Sequence, residues 1–386
     1  MRLAIVAVSL LAATGVGGLV LKPTLVDVQD APRRLDAADL DGDGDVDLFV
    51  VADGAGEAAS LQVLLNDGGD FTPGWTAAES SSSGTLPFDV DLADTDNDGD
   101  PDVLYVLPFG GSPKQRFNDG TGQFSSAAYL PVYAPRAEQE PADFDADGDV
   151  DIAYFEEDIT GYFGTMQGDG SGSFEFDFST ETWFGLFGTF DLGRRIELGD
   201  LTGDGIPDAA MASTNGLGFF ESGPIGSSTS GLPKWQNQVE LYLQPCADVA
   251  LADLDGNARL DIMATVPSLH SIVVFVHATS GFSLPRFYPA GAGPLAMATT
   301  DLDLDGHVDV VVTNSNNRLN VLLGTGTGGF LPPKGFRVGK QPVDVVAADF
   351  DDDGDDDLAV ACSQAGHVTV LLNNTAPRQP EIVGWR

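Results

Sequence analysis

The residues best placed for chemistry in this chain are aspartates spaced two apart. The pattern Asp-x-Asp-x-Asp-Gly-x-x-Asp, complete or with a few replacements, begins at Asp39, Asp94, Asp143, Asp200, Asp253, Asp301 and Asp349. Four carboxylates within nine residues repel one another unless a cation offsets them. A hard cation such as Ca2+ takes about six to eight oxygen ligands at roughly 2.3–2.6 Å, which alternate loop positions can supply. Positions 1, 3, 5 and 9 offer carboxylates and position 7 a backbone carbonyl. Position 6 is glycine because the chain turns there, often with a positive φ.

The complete copies supply Asp39, Asp41, Asp43, Asp45 and Asp47; Asp94, Asp96, Asp98, Asp100 and Asp102; Asp143, Asp145, Asp147, Asp149 and Asp151; Asp301, Asp303, Asp305, His307 and Asp309; and Asp349, Asp351, Asp353, Asp355 and Asp357. His307 would contribute only its backbone. The fourth copy offers Asp200, Thr202, Asp204, Ile206 and Asp208, with the threonine hydroxyl in place of a carboxylate. The fifth offers Asp253, Asp255, Asn257 and Asp261, but has Ala258 where glycine is expected, followed by Arg259. A non-glycine at positive φ costs about 1 kcal/mol. Five strong Ca2+ sites, a sixth at Asp200–Asp208 and a weak or empty seventh at Asp253–Asp261 are therefore expected. These are not EF-hand loops, which need glutamate at position 12. Here position 12 is apolar or aromatic throughout, as at Val50, Tyr105 and Val360.

The spacing of the copies sets the architecture. Successive steps of 55, 49, 57, 53, 48 and 48 residues mark an array of supersecondary units, each needing its neighbours to bury an apolar face. The last unit is the clearest: PVDVVAA at Pro342–Ala348, the acidic loop, a short apolar run from Leu358, a polar turn, then HVTVLL at His367–Leu372. Such runs read as strands, and a fourth precedes each unit, as at Gly335–Val338. Four-stranded units without helical periodicity predict an all-β, seven-bladed β-propeller. The final unit lacks its outer strand, and Leu25–Val28 stands in that register. It should pair with the strand near Val368–Leu372 and close the ring, leaving no open edge.

The unit resembles the FG-GAP/VCBS repeat, related to the calcium-binding blades of integrin alpha-chain propellers. The resemblance is carried most clearly by Phe336–Pro342, Val345–Asp349, the acidic loop and Leu358–Ala361. It implies a calcium-stabilised seven-bladed propeller over residues 24–375, each loop joining a blade's first and second strands, with a tail over 376–386. It does not fix a function, because one fold hosts many.

The remaining chemistry is sparse. Gly324, Gly326 and Gly329 spell a dinucleotide fingerprint, but Phe330-Leu331-Pro332-Pro333 forbids the helix it requires, so this is a hairpin turn. No zinc-protease or nucleophile-elbow motif occurs. Two features could carry a ligand. Five residues before each motif stand Arg34, Asp89, Glu138, Arg195, Asp248, Ala296 and Asp344, a ring of mixed charge where first strands should enter a central channel. The plainer reading is solvated strand ends. Phe174, Phe176 and Phe178 alternate before Trp183 and Phe184, which suits inter-blade packing or a platform for stacking sugars or peptides.

The formal charge is −41, and 32 of the 59 acidic residues lie in the seven loops. Seven divalent ions would leave roughly −27, still repelling nucleic acid and anionic membrane. Met1-Arg2, the apolar Leu3–Ala13 and small residues to Gly18 resemble a secretory signal over residues 1–20, cleaved near residue 15. An uncleaved anchor is the alternative. No membrane insertion of the mature domain is expected, and a monomer is. Cys246 and Cys362 lie in non-adjacent units and are expected to be free thiols. The whole describes an exported calcium-binding module for protein or carbohydrate ligands, with a calcium-dependent polysaccharide-active enzyme and a purely structural surface protein as alternatives.

Overall fold

The computed structural model describes residues 19–53, 58–80, 89–106, 113–131, 137–156, 162–176, 182–183, 195–226, 232 and 234–375. The signal-like segment through Gly18, Phe178, Phe184 and the tail from residue 376 lie outside them.

Seven antiparallel sheets follow one another along the chain, each ordered first, second, third and outer strand. In the first blade these are Ala31–Ala38, Asp47–Asp53, Ala58–Leu65 and Thr72–Ser80; in the sixth, Pro294–Thr300, Asp309–Asn314, Arg318–Leu322 and Lys334–Arg337. Second strands are buried along their length, as Asp309–Asn314 shows, because both faces of a blade pack against neighbours. The third blade departs from the pattern. Its third strand, Tyr162–Gly168, pairs with Phe174–Phe176 at one end and Thr182–Trp183 at the other.

The expected closure is present. Leu21–Asp27 runs antiparallel to His367–Asn373, with Leu25 opposite Thr369 and Val26 opposite Val368. The strand begins at Leu21, and Leu19 is already buried in the core beside Leu371 and Phe336. Seven apolar clusters fill the seven interfaces between adjacent blades. The one joining Leu35, Leu48 and Val50 of the first blade to Ala359, Ala361 and Val368 of the seventh completes the ring. Each first strand neighbours the first strands of both adjacent blades, which puts them around the axis.

The acidic loops connect first to second strands and therefore lie on one face, here the loop face. The second-to-third turns and blade-to-blade crossings lie on the opposite, far face. The glycine-rich stretch at Gly324 is a turn, as expected: Gly324 bridges Phe330, and Thr325 N–H donates to the Gly329 carbonyl at 3.0 Å. Cys246 and Cys362 are buried free thiols. Phe174 packs between the second and third blades, and Phe176 lies 5.6 Å from the Tyr154 ring, so this part of the aromatic run is packing. Trp183 is placed by its backbone, opposite Tyr162.

Candidate functional site

All seven acidic loops share one hydrogen-bonded frame. The position 1 carboxylate caps the turn from inside: Gly44 N–H donates to Asp39 Oδ2 at 3.1 Å, Gly99 to Asp94 Oδ2 at 3.0 Å and Gly354 to Asp349 Oδ2 at 2.9 Å. Position 5 accepts from position 7, as Asp43 Oδ1 does from Asp45 N–H at 3.0 Å. Position 9 is the anchor. Asp47, Asp102, Asp151, Asp208, Asp261, Asp309 and Asp357 are all 0 % exposed. Asp47 accepts Leu40 N–H at 2.9 Å on Oδ2 and Asn66 N–H at 2.7 Å on Oδ1, stapling the loop to the end of the third strand. Asp309 does the same with Leu302 (3.1 Å) and Gly324 (2.7 Å), and the staple recurs in the fourth and fifth loops at Asp208 and Asp261. Burial pushes these carboxyls up to about 6 (Asp47, Asp102, Asp208, Asp261) or about 7 (Asp151, Asp309, Asp357), against the pull of their backbone donors.

Position 3 is left over. The Oδ1 atoms of Asp41, Asp96, Asp145, Asp255 and Asp351 are buried and accept no hydrogen bond. A buried carboxylate oxygen without a partner is costly, so five repeats of the same orphan point to something that belongs beside it. Carboxylate oxygens of Asp39, Asp41 and Asp43 lie within 4.8 Å of one another. So do those of Asp94, Asp96 and Asp102, of Asp143, Asp145 and Asp151, of Asp253, Asp255 and Asp261, and of Asp301, Asp303 and Asp309. This all-oxygen donor set fits a hard divalent cation.

The fifth loop keeps the shape of the others. Ala258 adopts φ 60° and still donates to Asp253 Oδ2 at 2.7 Å. Its glycine counterparts, Gly44 and Gly306 for example, have open space where a Cβ would stand, so alanine meets only the backbone cost. Position 4 is left-handed too, which the sequence reading missed: Gly42 at 74°, Asn97 at 58°, Ala146 at 61° and Leu304 at 54°. The variety of residues there hid the signal.

The loops are also joined around the ring. Asn66 Nδ2 donates to the Phe350 carbonyl in the seventh loop at 2.8 Å, Asn118 to Leu40 at 2.9 Å and Asn373 to Leu302 at 2.9 Å. Each such asparagine binds its own loop's position 9 through its backbone and the preceding loop through its side chain.

At the axis the expected charge ring comes together. Arg195 reaches Asp344 at 3.2 Å, Asp89 at 3.5 Å and Asp248 at 3.6 Å, from three different blades. The aspartates also link adjacent first strands, Asp344 accepting from Leu35 N–H at 3.0 Å and Asp248 from Met297 N–H at 2.7 Å. Strand alternation adds a second tier, Asp36, Asp91, Glu140 and Glu197, two residues further along each strand. The spacing from the motifs points only to the first tier. Burial and neighbouring carboxylates raise Asp91 and Glu140 well above the carboxylate range, and burial carries Asp36 and Glu197 to about 7. Arg34 is lowered by burial and by Arg195. Burial opposes the Arg195 charge, but Asp344, Asp248, Glu138 and Asp89 outweigh it and raise the group. Glu138 sits in the same cluster, raised chiefly by burial. A cavity of about 210 Å³ opens beside Arg34, Glu140, Arg195 and Glu197. These residues are mutually engaged rather than solvated strand ends.

Fold and loops together define a β-propeller with oxygen-lined loops on one face. Residues 30–105 and 301–360 match the family model of the FG-GAP-like repeat, so the chain is a propeller containing FG-GAP-like repeats. No curated protein matches it significantly in sequence. Similar solved structures include the crystal structure of BBS1N in complex with ARL6DN, soaked with mercury: 13% identity, TM-score 0.57, over 91% of this chain and 96% of that one. Another is a structure describing specific recognition of non-reducing terminal N-acetylglucosamine by an Agrocybe aegerita lectin: 18% identity, TM-score 0.54, over 89% of this chain and 85% of that one. At these identities the likeness is one of fold.

Proposed function

We propose that the protein is an exported, calcium-loaded propeller that presents its far face as a binding or adhesion surface for protein or carbohydrate. The observation that carries the calcium reading is the orphaned position 3 oxygen repeated in loop after loop. Asp39, Asp41 and Asp43 in the first loop, and their counterparts, would hold the ion. When bound it would neutralise the buried carboxylates and brace a frame the backbone has already built. The Asn66, Asn118 and Asn373 bridges would pass that bracing from blade to blade. Export rests on the signal-like start of the sequence. Among the described residues no helix is long and apolar enough to cross a membrane.

A binding role is favoured over an enzymatic one by size. The axial cavity sets arginines beside carboxylates outside the metal loops, as an enzyme would need. At about 210 Å³ it lies below the roughly 300–1,000 Å³ of ordinary ligand sites. The lectin among the similar folds makes saccharides a sensible first class of ligand. The test is calcium titration by calorimetry with melting curves in calcium and in chelator. Each site adds about 2.7 kcal/mol at a hundredfold excess over Kd. Several equivalents bound and a large fall in Tm on chelation are expected; no calcium uptake would end the reading. A glycan array and an assay for cleaved acidic polysaccharide, run on the loaded protein, separate binder from enzyme.

A further inference from the structure

We infer that the groove between the sixth and seventh blades on the far face binds an oxyanion, the carboxylate or sulfate of an acidic saccharide. The cavity measures about 680 Å³, within the range of ligand sites, and its lining includes Arg318, Arg337, Lys340 and His367 but no aspartate or glutamate. Three of the chain's 18 lysines and arginines thus gather in one groove of a protein with 59 acidic residues.

Arg318 and Arg337 stand directly opposite each other on paired strands. Like charges in that position repel. None of Arg318, Arg337 and Lys340 forms an ion pair or side-chain hydrogen bond with a described residue. All three are exposed at the rim. Asp27 stands across the strand pair from His367. Elsewhere in the molecule buried cations are matched, as Lys114 and Arg116 are by Glu79. An anion between the two guanidiniums would turn the repulsion into a pair of charge-assisted bonds, for which the planar arginine fork is suited.

The walls are held in place. Asn317 Oδ1 accepts Gln341 N–H at 2.9 Å, Gln364 N–H donates to the Lys340 carbonyl at 3.1 Å, and Ser363 N–H to the Gln341 carbonyl at 3.0 Å. Asn317 (62°) and Gln341 (52°) are non-glycines fixed in the left-handed region. Asn316 and Gln364 add amides that suit sugar hydroxyls. Two corresponding crossings among the described residues are different in kind. Between the fourth and fifth blades runs Leu243-Gln244-Pro245-Cys246-Ala247, and between the fifth and sixth Ala290–Gly293, neither with a lysine or arginine. The groove also lies on the face away from the acidic loops, where their field is weakest.

The oxyanion follows from the groove alone; the saccharide carrier rests on the binding-module reading. Calcium-loaded protein at low ionic strength would be titrated with trigalacturonate, neutral trigalactose and sodium sulfate, alongside the double variant Arg318→Gln/Arg337→Gln and the single variant Lys340→Gln. Trigalacturonate is expected to bind and to weaken with added salt. The double variant should lose at least tenfold in affinity with no loss in Tm, because a repelling pair has been removed. Trigalactose should bind far more weakly. If sulfate binds in an arginine-dependent way while neither saccharide does, the oxyanion site stands and the saccharide carrier falls. If no anion binds, or the variants bind as tightly as the parent, the inference is overturned.

Discussion

The two ends of the first strands bury aspartates in opposite ways. On the loop face each position 9 carboxylate is held by backbone N–H groups of its own blade, as Asp47 is by Leu40 and Asn66. Near the far face the carboxylates share Arg195 and the N–H groups of neighbouring blades, as Asp344 and Asp248 do. The first solution needs only the nine-residue loop and the strand that follows, so it can repeat seven times. The second depends on one arginine in one blade, and the blades are not equivalent there. Local chemistry copies with the repeat; chemistry across the axis is made once for the whole ring.

The largest effect should come from breaking the local solution. Asp47→Ala leaves two buried backbone donors unsatisfied, at about 1–3 kcal/mol each. A loss of about 3–5 kcal/mol in urea unfolding is expected even in chelator, where no ion is at stake. Asp41→Ala removes instead the oxygen that has no partner. It should cost a calcium equivalent and stability only where calcium is present, and be neutral or stabilising in chelator. If the two variants behave alike, position 9 and position 3 do not divide the work between frame and metal as the geometry implies.

A smaller effect, of opposite sign, is expected at the axis. Glu197 is raised from 4.5 to about 7 by burial and by Asp248, against the pull of Arg195. Its ionised form therefore destabilises the fold. As pH rises through 4.5 the unfolded chain gives up its proton first, and the penalty is complete only above pH 7. Glu197→Gln should therefore stabilise the protein by about 1–3 kcal/mol at pH 8. The gain should shrink steadily toward pH 4.5. A constant gain across that window would mean the carboxyl titrates normally.

The contrast between local and non-local also explains what the sequence made legible. The repeat, the loops and the missing outer strand could be read because each lies within about one 48–57-residue unit or follows from counting units. The loop anchors could be found but not ranked. Position 9 looks like one more carboxylate in the motif until Asn66 and Gly324 are seen donating to its counterparts. The Arg195–Asp344 contact joins residues 149 apart; both stand five residues before a motif, a register that placed them in one ring but did not say which blades would pair across the axis. Alternation within the first strands could have revealed the inner tier at Asp36, Asp91, Glu140 and Glu197, since a period of two puts it on the same face as the outer tier.

The smallest effects should come from the two least acidic loops, the fourth and fifth. Ala258→Gly removes about 1 kcal/mol of left-handed strain. Glycine also frees the unfolded chain, by about 0.4–1 kcal/mol, so the net change in stability should be close to zero. The loop already has the frame of its neighbours, so its calcium affinity should hardly move either. Charge is the better lever. Arg259 follows Ala258 and its Nη1 reaches within 3.9 Å of the space beside Gly203, so one guanidinium faces both weakly acidic loops. Arg259→Gln should tighten the weakest class of calcium sites several-fold, leaving the tight class and the melting temperature in chelator unchanged. A titration in which the weak class does not move would show that backbone shape, not the missing carboxylates and added cation, sets these loops apart.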